Sequence, residues 1–378
     1  MQSAKRLLRE LIAIPSVNPA FLSPGDPRAG EKLVADFLAA AAAQARLDSE
    51  FQKVAPARSN LLVRLVPSKR TQSRVILAPH LDTVGEPAML ETMFDPVDRN
   101  SRIHGRGACD TKGSVAAMFA ALLELARGNV RPETTEILFV GLADEEHHQL
   151  GSRGFIADGW KGDLAIVGEP TRLKAVTAHK GDLWLRLQTK GKSAHGSRPE
   201  LGKNAVHMMA RIVDVLENDY AAFLRTKKHP LLGSPTINVG LIRGGTQPNI
   251  VPPSCFIEVD RRTVPGENER LVRREIQSFL KEKGAPTELV STKSYSALPL
   301  ETDPRLPLVQ QFLRSMRQQQ PCGVDFFCDA AIIAQSGTPC VVFGPGDIAQ
   351  AHTADEWISI RSLEQGAELL LRFLRTLP

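Results

Sequence analysis

Residues 74–84 read RVILAPHLDTV. Val75, Ile76, Leu77 and Ala78 make the short apolar run expected of a strand buried on both faces. The run breaks at once into polar chemistry, with His80 and Asp82 two residues apart. In extended chain that spacing puts both side chains on one face, so a carboxylate can hold one imidazole nitrogen while the other faces a metal. Taken alone, the pair reads equally well as a hydrogen-bonded histidine at a strand end.

Working outward, strands are expected at 60–66, 134–142 and 163–167, with helices at 29–47 and 113–127. Short apolar strands alternating with helices predict an α/β fold in which a mostly parallel sheet is covered by helices. From about 180 the texture changes. DLWLRLQTK (182–190), TINVGLI (236–242) and CFIEVDRR (255–262) read as strands, the first alternating as if one face were wet, and helical patterns cover 204–225 and 267–283. This rhythm predicts a smaller α+β domain at 180–290, inserted into a catalytic domain made of 1–179 and 291–378. A helix at 306–320, a strand at 338–344 and a last helix at 361–376 resume the α/β pattern.

Composition narrows the function classes. The 378 residues carry 47 Lys+Arg against 42 Asp+Glu, a net charge of +5 spread without a long basic block. A nucleic-acid footprint would gather positive charge on one face, so no nucleic-acid partner is expected. No stretch approaches the run of about 20 apolar residues that spans a bilayer. In the opening segment Arg9 and Glu10 interrupt the apolar run, and Leu7, Leu8, Leu11 and Ile12 fall at amphipathic spacing. That pattern predicts a docking helix stopped before Pro15, not an export signal. Five cysteines, odd in number and without a CxxC pair, suit a reducing, cytoplasmic compartment. Any zinc must then be held by nitrogen and oxygen.

The chemistry gathers where strands end, which is where open α/β sheets bind ligands. GRGACDTKG (105–113) delivers Asp110 just before a helix, where a capping aspartate is also common. ADEEHH (143–148) follows a hydrophobic strand directly, and three adjacent acids there concentrate charge where desolvation is expensive and a cation would relieve it. LAIVGEPT (164–171) brings Glu169 to a strand tip, and GPGDIAQAHTADEW (344–357) presents His352 after a glycine-proline turn. Imidazole and carboxylate donors suit Zn²⁺. Two sites would need one bridging ligand, which a carboxylate with two oxygens can supply.

IPSVNP, HLDTV, GRGACDTKG, ADEEHHQLGSRG, VGEPT, GKSAHGSRPELGKNAV, GGTQPNIVPPSC, DRRTVPG and GPGDIAQAHTADEW occur in this order along nearly the whole chain. Together they resemble the zinc-dependent M20 family of deacylases, aminoacylases and carboxypeptidases. The resemblance implies that Asp110 bridges two Zn²⁺ ions, with Co²⁺ as an alternative metal. His80 and Glu169 would complete one site, and Glu146 with His352 the other. It makes Glu145 the general base, has Asp82 orient His80, and implies a cis peptide after Asp110. It also implies a homodimer in which His195 reaches the partner's active site and helps hold the oxyanion. Asn249 and Arg262, with Lys180 as a further candidate, would engage the free carboxylate of a small N-acyl amino acid. Removal of the acetyl group of N-acetylornithine is the expected reaction, with succinyl-diaminopimelate, other N-acyl amino acids or peptides as alternatives. A catalytically silent relative acting as a binding protein should have lost a ligand or the base, and none is missing here.

Overall fold

In the computed structural model, residues 4–85, 91–128, 131–292 and 297–378 are described. The first three residues of the opening segment lie outside that set. Contacts divide the chain into two compact units, one of 1–177, 302–322 and 328–378, the other of 178–301 and 323–327.

In the first unit the strand order is Asp48–Ala55, Arg58–Leu65, Thr135–Gly141, Ser73–Pro79, Leu164–Gly168, Cys340–Val342. The last four run parallel, and the first two pair antiparallel on one side. Alternate residues of each strand serve opposite faces. Leu61, Val63, Val75, Leu77, Ile137, Phe139, Leu164 and Ile166 share one core with the helices Ala4–Ile12, Lys32–Gln44, Lys112–Arg127, Pro307–Ser315 and Ile360–Leu374. Each such fully buried aliphatic or aromatic side chain contributes about 1.5–3 kcal/mol. Leu150–Ala157 and Ala330–Ala334 pack on the other face. From Ser73–Pro79 the chain passes through helix Lys112–Arg127 to the neighbouring strand on one side. It then returns through Leu150–Ala157 to the neighbour on the other side. The tip of Ser73–Pro79 is therefore a topological switch point, and His80 stands on it.

The second unit is a four-stranded antiparallel sheet in the order Thr236–Gly244, Ser254–Thr263, Gly181–Lys190, Glu288–Ser291. One face packs against helices Ala205–Asp214 and Glu269–Glu282 through Leu185, Leu187, Ile257, Val259, Met209 and Ile276. The alternation expected of 182–190 is seen directly, with Leu183, Leu185 and Leu187 buried and Trp184 exposed.

Three differences from the sequence reading have local causes. Asp48–Ala55 is a strand that the apolar pattern does not announce, because it is an edge with mostly exposed residues. The helix expected over 204–225 is interrupted by a π turn at Val215–Tyr220, which carries the Tyr220 hydroxyl to Glu275 at 2.8 Å. The helix expected over 306–320 stops at Ser315. There Arg317 takes a left-handed conformation (φ 55°), and the Gln318 side chain bonds both the N–H and the carbonyl of Ala175 at 2.8 and 2.9 Å. Among the described residues no helix is long and apolar enough to cross a membrane.

Candidate metal centre

The site is built at the carboxyl ends of the parallel strands. Ser73–Pro79 hands over to His80, Thr135–Gly141 to the 144–146 turn, and Leu164–Gly168 to Glu169. Asp110 lies just ahead of helix Lys112–Arg127, and the peptide that follows it is cis. Side chains as far apart in sequence as residues 80 and 352 converge into two groups. His80, Asp110 and Glu169 offer ligand atoms within 4.8 Å of one another, and so do Asp110, Glu146 and His352. Asp110 belongs to both groups. His80 Nε2 is 3.1 Å from Asp110 Oδ1, and His352 Nε2 is 3.3 Å from the other oxygen, Oδ2, and 3.2 Å from Glu146 Oε2.

Asp82 stands behind this cluster. His80 Nδ1 lies 3.0 Å from the Asp82 main-chain carbonyl and 3.5 Å from its carboxylate, which leaves Nε2 turned toward Asp110. The carboxylate itself accepts the backbone N–H groups of Glu145 and Glu146 at 3.0 and 3.2 Å. Asp82 thus sets both the imidazole and the turn that carries the neighbouring acids. That turn is irregular backbone beyond the strand, so Glu145 and Glu146 escape the strict alternation of a strand. Glu146 enters a ligand group and Glu145 enters neither.

Electrostatics sharpen the picture. Burial pushes Glu146 up to about 7, and the nearby Asp110 charge adds to the effect. Burial likewise holds Glu145 and Glu169 well above the usual carboxylate range, against the pull of a charged His80. Burial also opposes ionisation of Asp110, yet its bonds to His352 and His80 hold it low. The same bonds to Asp110 and Glu146 raise His352 to about 10. Glu146 Oε1 is buried with no hydrogen-bond partner among the described residues. Buried carboxylates normally find a donor or a cation. An orphaned oxygen beside four other oxygen or imidazole donors therefore fits a cation, and the all-N/O donor set suits zinc.

The chain belongs to peptidase family M20/M25/M40. The family model matches residues 76–376, which include every side chain of the two ligand groups. The chain is 30% identical over 336 residues to acetylornithine deacetylase of Vibrio atlanticus (strain LGP32), covering 86% of each chain. It is 29% identical over 309 residues to acetylornithine deacetylase of Myxococcus xanthus, covering 80% of this chain and 79% of that relative. Its fold is shared with an M20 family metallo-carboxypeptidase from Sulfolobus solfataricus (TM-score 0.77, 19% identity, 99% of each chain). A dinuclear metal binding M20 peptidase from Bacillus subtilis also shares it (TM-score 0.71, 13% identity, 99% and 97% of the two chains). The protein is a metal-dependent amide hydrolase of the M20 family.

The remaining sequence candidates lie in the second unit. His195 is exposed, its Nδ1 2.7 Å from Ser197 Oγ. It pairs across an isolated bridge with Ile250, next to exposed Asn249, whose carbonyl accepts the Gly196 N–H at 2.7 Å. An open groove of about 530 Å³ runs beside them, lined by Gly196, Asn204, Gly245 and Gln247. Arg262 is half-buried and bonds Asp260 at 3.0 Å, with Asp182 at 3.7 Å. Lys180 is buried and pairs with exposed Asp325 at 2.7 Å.

Sequence reasoning missed the groups that brace the centre. Asn18 Nδ2 donates to Asp82 Oδ2 at 2.8 Å and to Asp144 Oδ1 at 2.9 Å. Arg58 bonds the same Asp144 oxygen at 2.5 Å and also pairs with buried Glu31. Asp329 is buried, accepts the Ser152 hydroxyl at 2.5 Å, and is pushed up to about 7 by that burial. Glu356 is buried against the Asp110 loop. Asn18 and Glu356 lie inside the stretches IPSVNP and TADEW that carry the resemblance. Arg58 and Glu31 have no such signal, lying outside every stretch that carries the resemblance.

Proposed function

We propose that this protein is a two-zinc deacylase that hydrolyses the amide of N-acetylornithine. The single observation that carries the reading is that two ligand groups share Asp110 while Glu145 stands outside both. His80, Asp110 and Glu169 would hold one ion, and Asp110, Glu146 and His352 the other. When bound, such a metal pair polarises a carbonyl and lowers the pKa of water toward neutrality.

Glu145 accepts a proton from the attacking water and delivers it to the departing nitrogen. Its backbone is fixed on Asp82, so the carboxylate stays near the ligands without being one of them. Burial raises the proton affinity of this carboxylate, which strengthens it as the base that takes the proton of the attacking water. The product amine and the acetate then leave separately.

His195 contributes an imidazole donor to the oxyanion from the other subunit of a homodimer. Asn249 and Arg262 receive the substrate carboxylate, which requires Arg262 to share its guanidinium with Asp260 and Asp182; Lys180 assists. The substrate assignment is supported by the named relatives. The test is a parallel hydrolysis assay of N-acetylornithine, N-succinyl-diaminopimelate and several N-acetyl amino acids on zinc-loaded protein. A kcat/KM for N-acetylornithine at least tenfold above the rest is expected. Equal rates on all would overturn the narrow substrate assignment, and preference for the succinylated compound would replace it.

A further inference from the structure

The loop that carries Asp110 has almost no secondary structure to satisfy its backbone. One buried side chain does that work instead. Glu356 Oε1 accepts the N–H of Cys109 at 2.7 Å and of Asp110 at 2.9 Å. Its Oε2 accepts the N–H of Gly107 at 2.9 Å and the Arg106 guanidinium at 2.9 Å. The Glu356 main-chain carbonyl takes a further N–H, that of Gly105, at 3.1 Å. Glu356 is 3% exposed and Arg106 2% exposed, so these bonds are shielded from water. Gly107 holds the loop in a left-handed conformation (φ +79°), and a Cβ there would meet Lys112 and Thr83 at 2.9 Å. The loop has little room to find another path.

Glu356 also sits four residues after His352, and the strand Trp357–Ser359 that follows pairs with Arg102–His104, directly before the Asp110 loop. The carboxylate therefore ties together the two segments that supply Asp110 and His352. The backbones carrying His80 and Glu169 receive no bond from it among the described residues.

We propose that Glu356 is a positioning residue that aligns Asp110 with His352 and so sets the affinity of the second metal site. The inference rests on the two-metal reading above. In Glu356→Gln the amide keeps one acceptor oxygen but presents an N–H₂ group to donors that need an acceptor. The loop must shift, and the spacing of Asp110 Oδ2 from His352 Nε2, 3.3 Å here, changes with it.

The test is a zinc titration of metal-free protein by calorimetry, alongside thermal melts with and without zinc. Wild type is expected to bind two equivalents. Glu356→Gln is expected to weaken the first somewhat, because Asp110 is shared, and the second more, by about 10–100-fold, because the tie between the Asp110 and His352 segments is lost as well. Its melting temperature should then gain less from zinc than wild type does. Two equivalents at wild-type affinity in a variant that only melts earlier would overturn the positioning role. A wild type that binds fewer than two would overturn the two-metal reading instead. If Glu356→Gln does not fold, Glu356→Asp, which keeps the charge and withdraws it by one methylene, is expected to show the same unequal loss. Equal weakening of both equivalents in it would count against the proposal.

Discussion

The two ligand groups share Asp110 but are built differently. His80 and Glu169 stand at the tips of adjacent parallel strands and are 2% and 4% exposed. Their positions are set by the sheet. Glu146 and His352 come from a turn and a loop, His352 adopts a left-handed backbone (φ 58°), and its side chain is 56% exposed. One group is placed by the core and the other by hydrogen bonds between loops. The difference teaches that strand topology alone can bring two ligands of one metal site to adjacent tips, whereas Glu146 depends on Asp82 beneath its N–H and the shared Asp110 on Glu356.

The change that erases the contrast has the largest effect. Asp110→Ala removes the ligand common to both groups, so metal analysis after gel filtration should find neither ion retained and no measurable turnover. Two zinc ions still bound would break the shared-carboxylate account. Next in size is Glu145→Ala, which should lower kcat by about 10²–10⁴ while zinc content stays at wild-type level. An unchanged kcat would remove Glu145 as the base. His352→Ala should cost one equivalent of metal and leave the other tightly held, whereas His80→Ala attacks the core-placed group. Loss of both ions from His352→Ala would deny that the groups are separable.

The smallest effect is in pH. In the metal-free protein His352 titrates at about 10, above its ordinary 6.5, because Asp110 and Glu146 hold its proton. A raised folded-state pKa contributes stability that is fully present below 6.5 and disappears as pH climbs through 10. The melting temperature of the metal-free protein should therefore fall more between pH 7 and 10 in wild type than in His352→Ala. Parallel curves for the two would contradict this. Zinc must also displace that proton, so uptake by the second group should tighten as pH rises.

How much of this was legible in the sequence follows the same divide. VILAPHLDTV and LAIVGEPT announce strands that end in ligands because burial on both faces leaves a continuous apolar run, and a polar residue after it stands out. ADEEHH stands out for the opposite reason, its density of charge after a strand. The props are different. Asn18 reaches Asp82 and Asp144 at 64 and 126 positions on, Arg58 reaches Asp144 at 86 on, and the Glu356 carboxylate reaches back 246 to 250 positions, distances no local pattern encodes. Asp48–Ala55 is hidden for a related cause: an edge strand keeps most of its residues wet and so lacks an apolar signature. The left-handed turn at Arg317 that ends helix Pro307–Ser315 depends on Gln318 reaching Ala175, again a long-range bond.

The most direct measurement is a titration of metal-free protein with zinc while following release of free amine from N-acetylornithine. Turnover should be absent without metal and should reach its plateau at two equivalents per chain. Full activity in the presence of a chelator that has stripped the protein, or a plateau at one equivalent with no further gain, would contradict a hydrolase built on two ions joined through one aspartate.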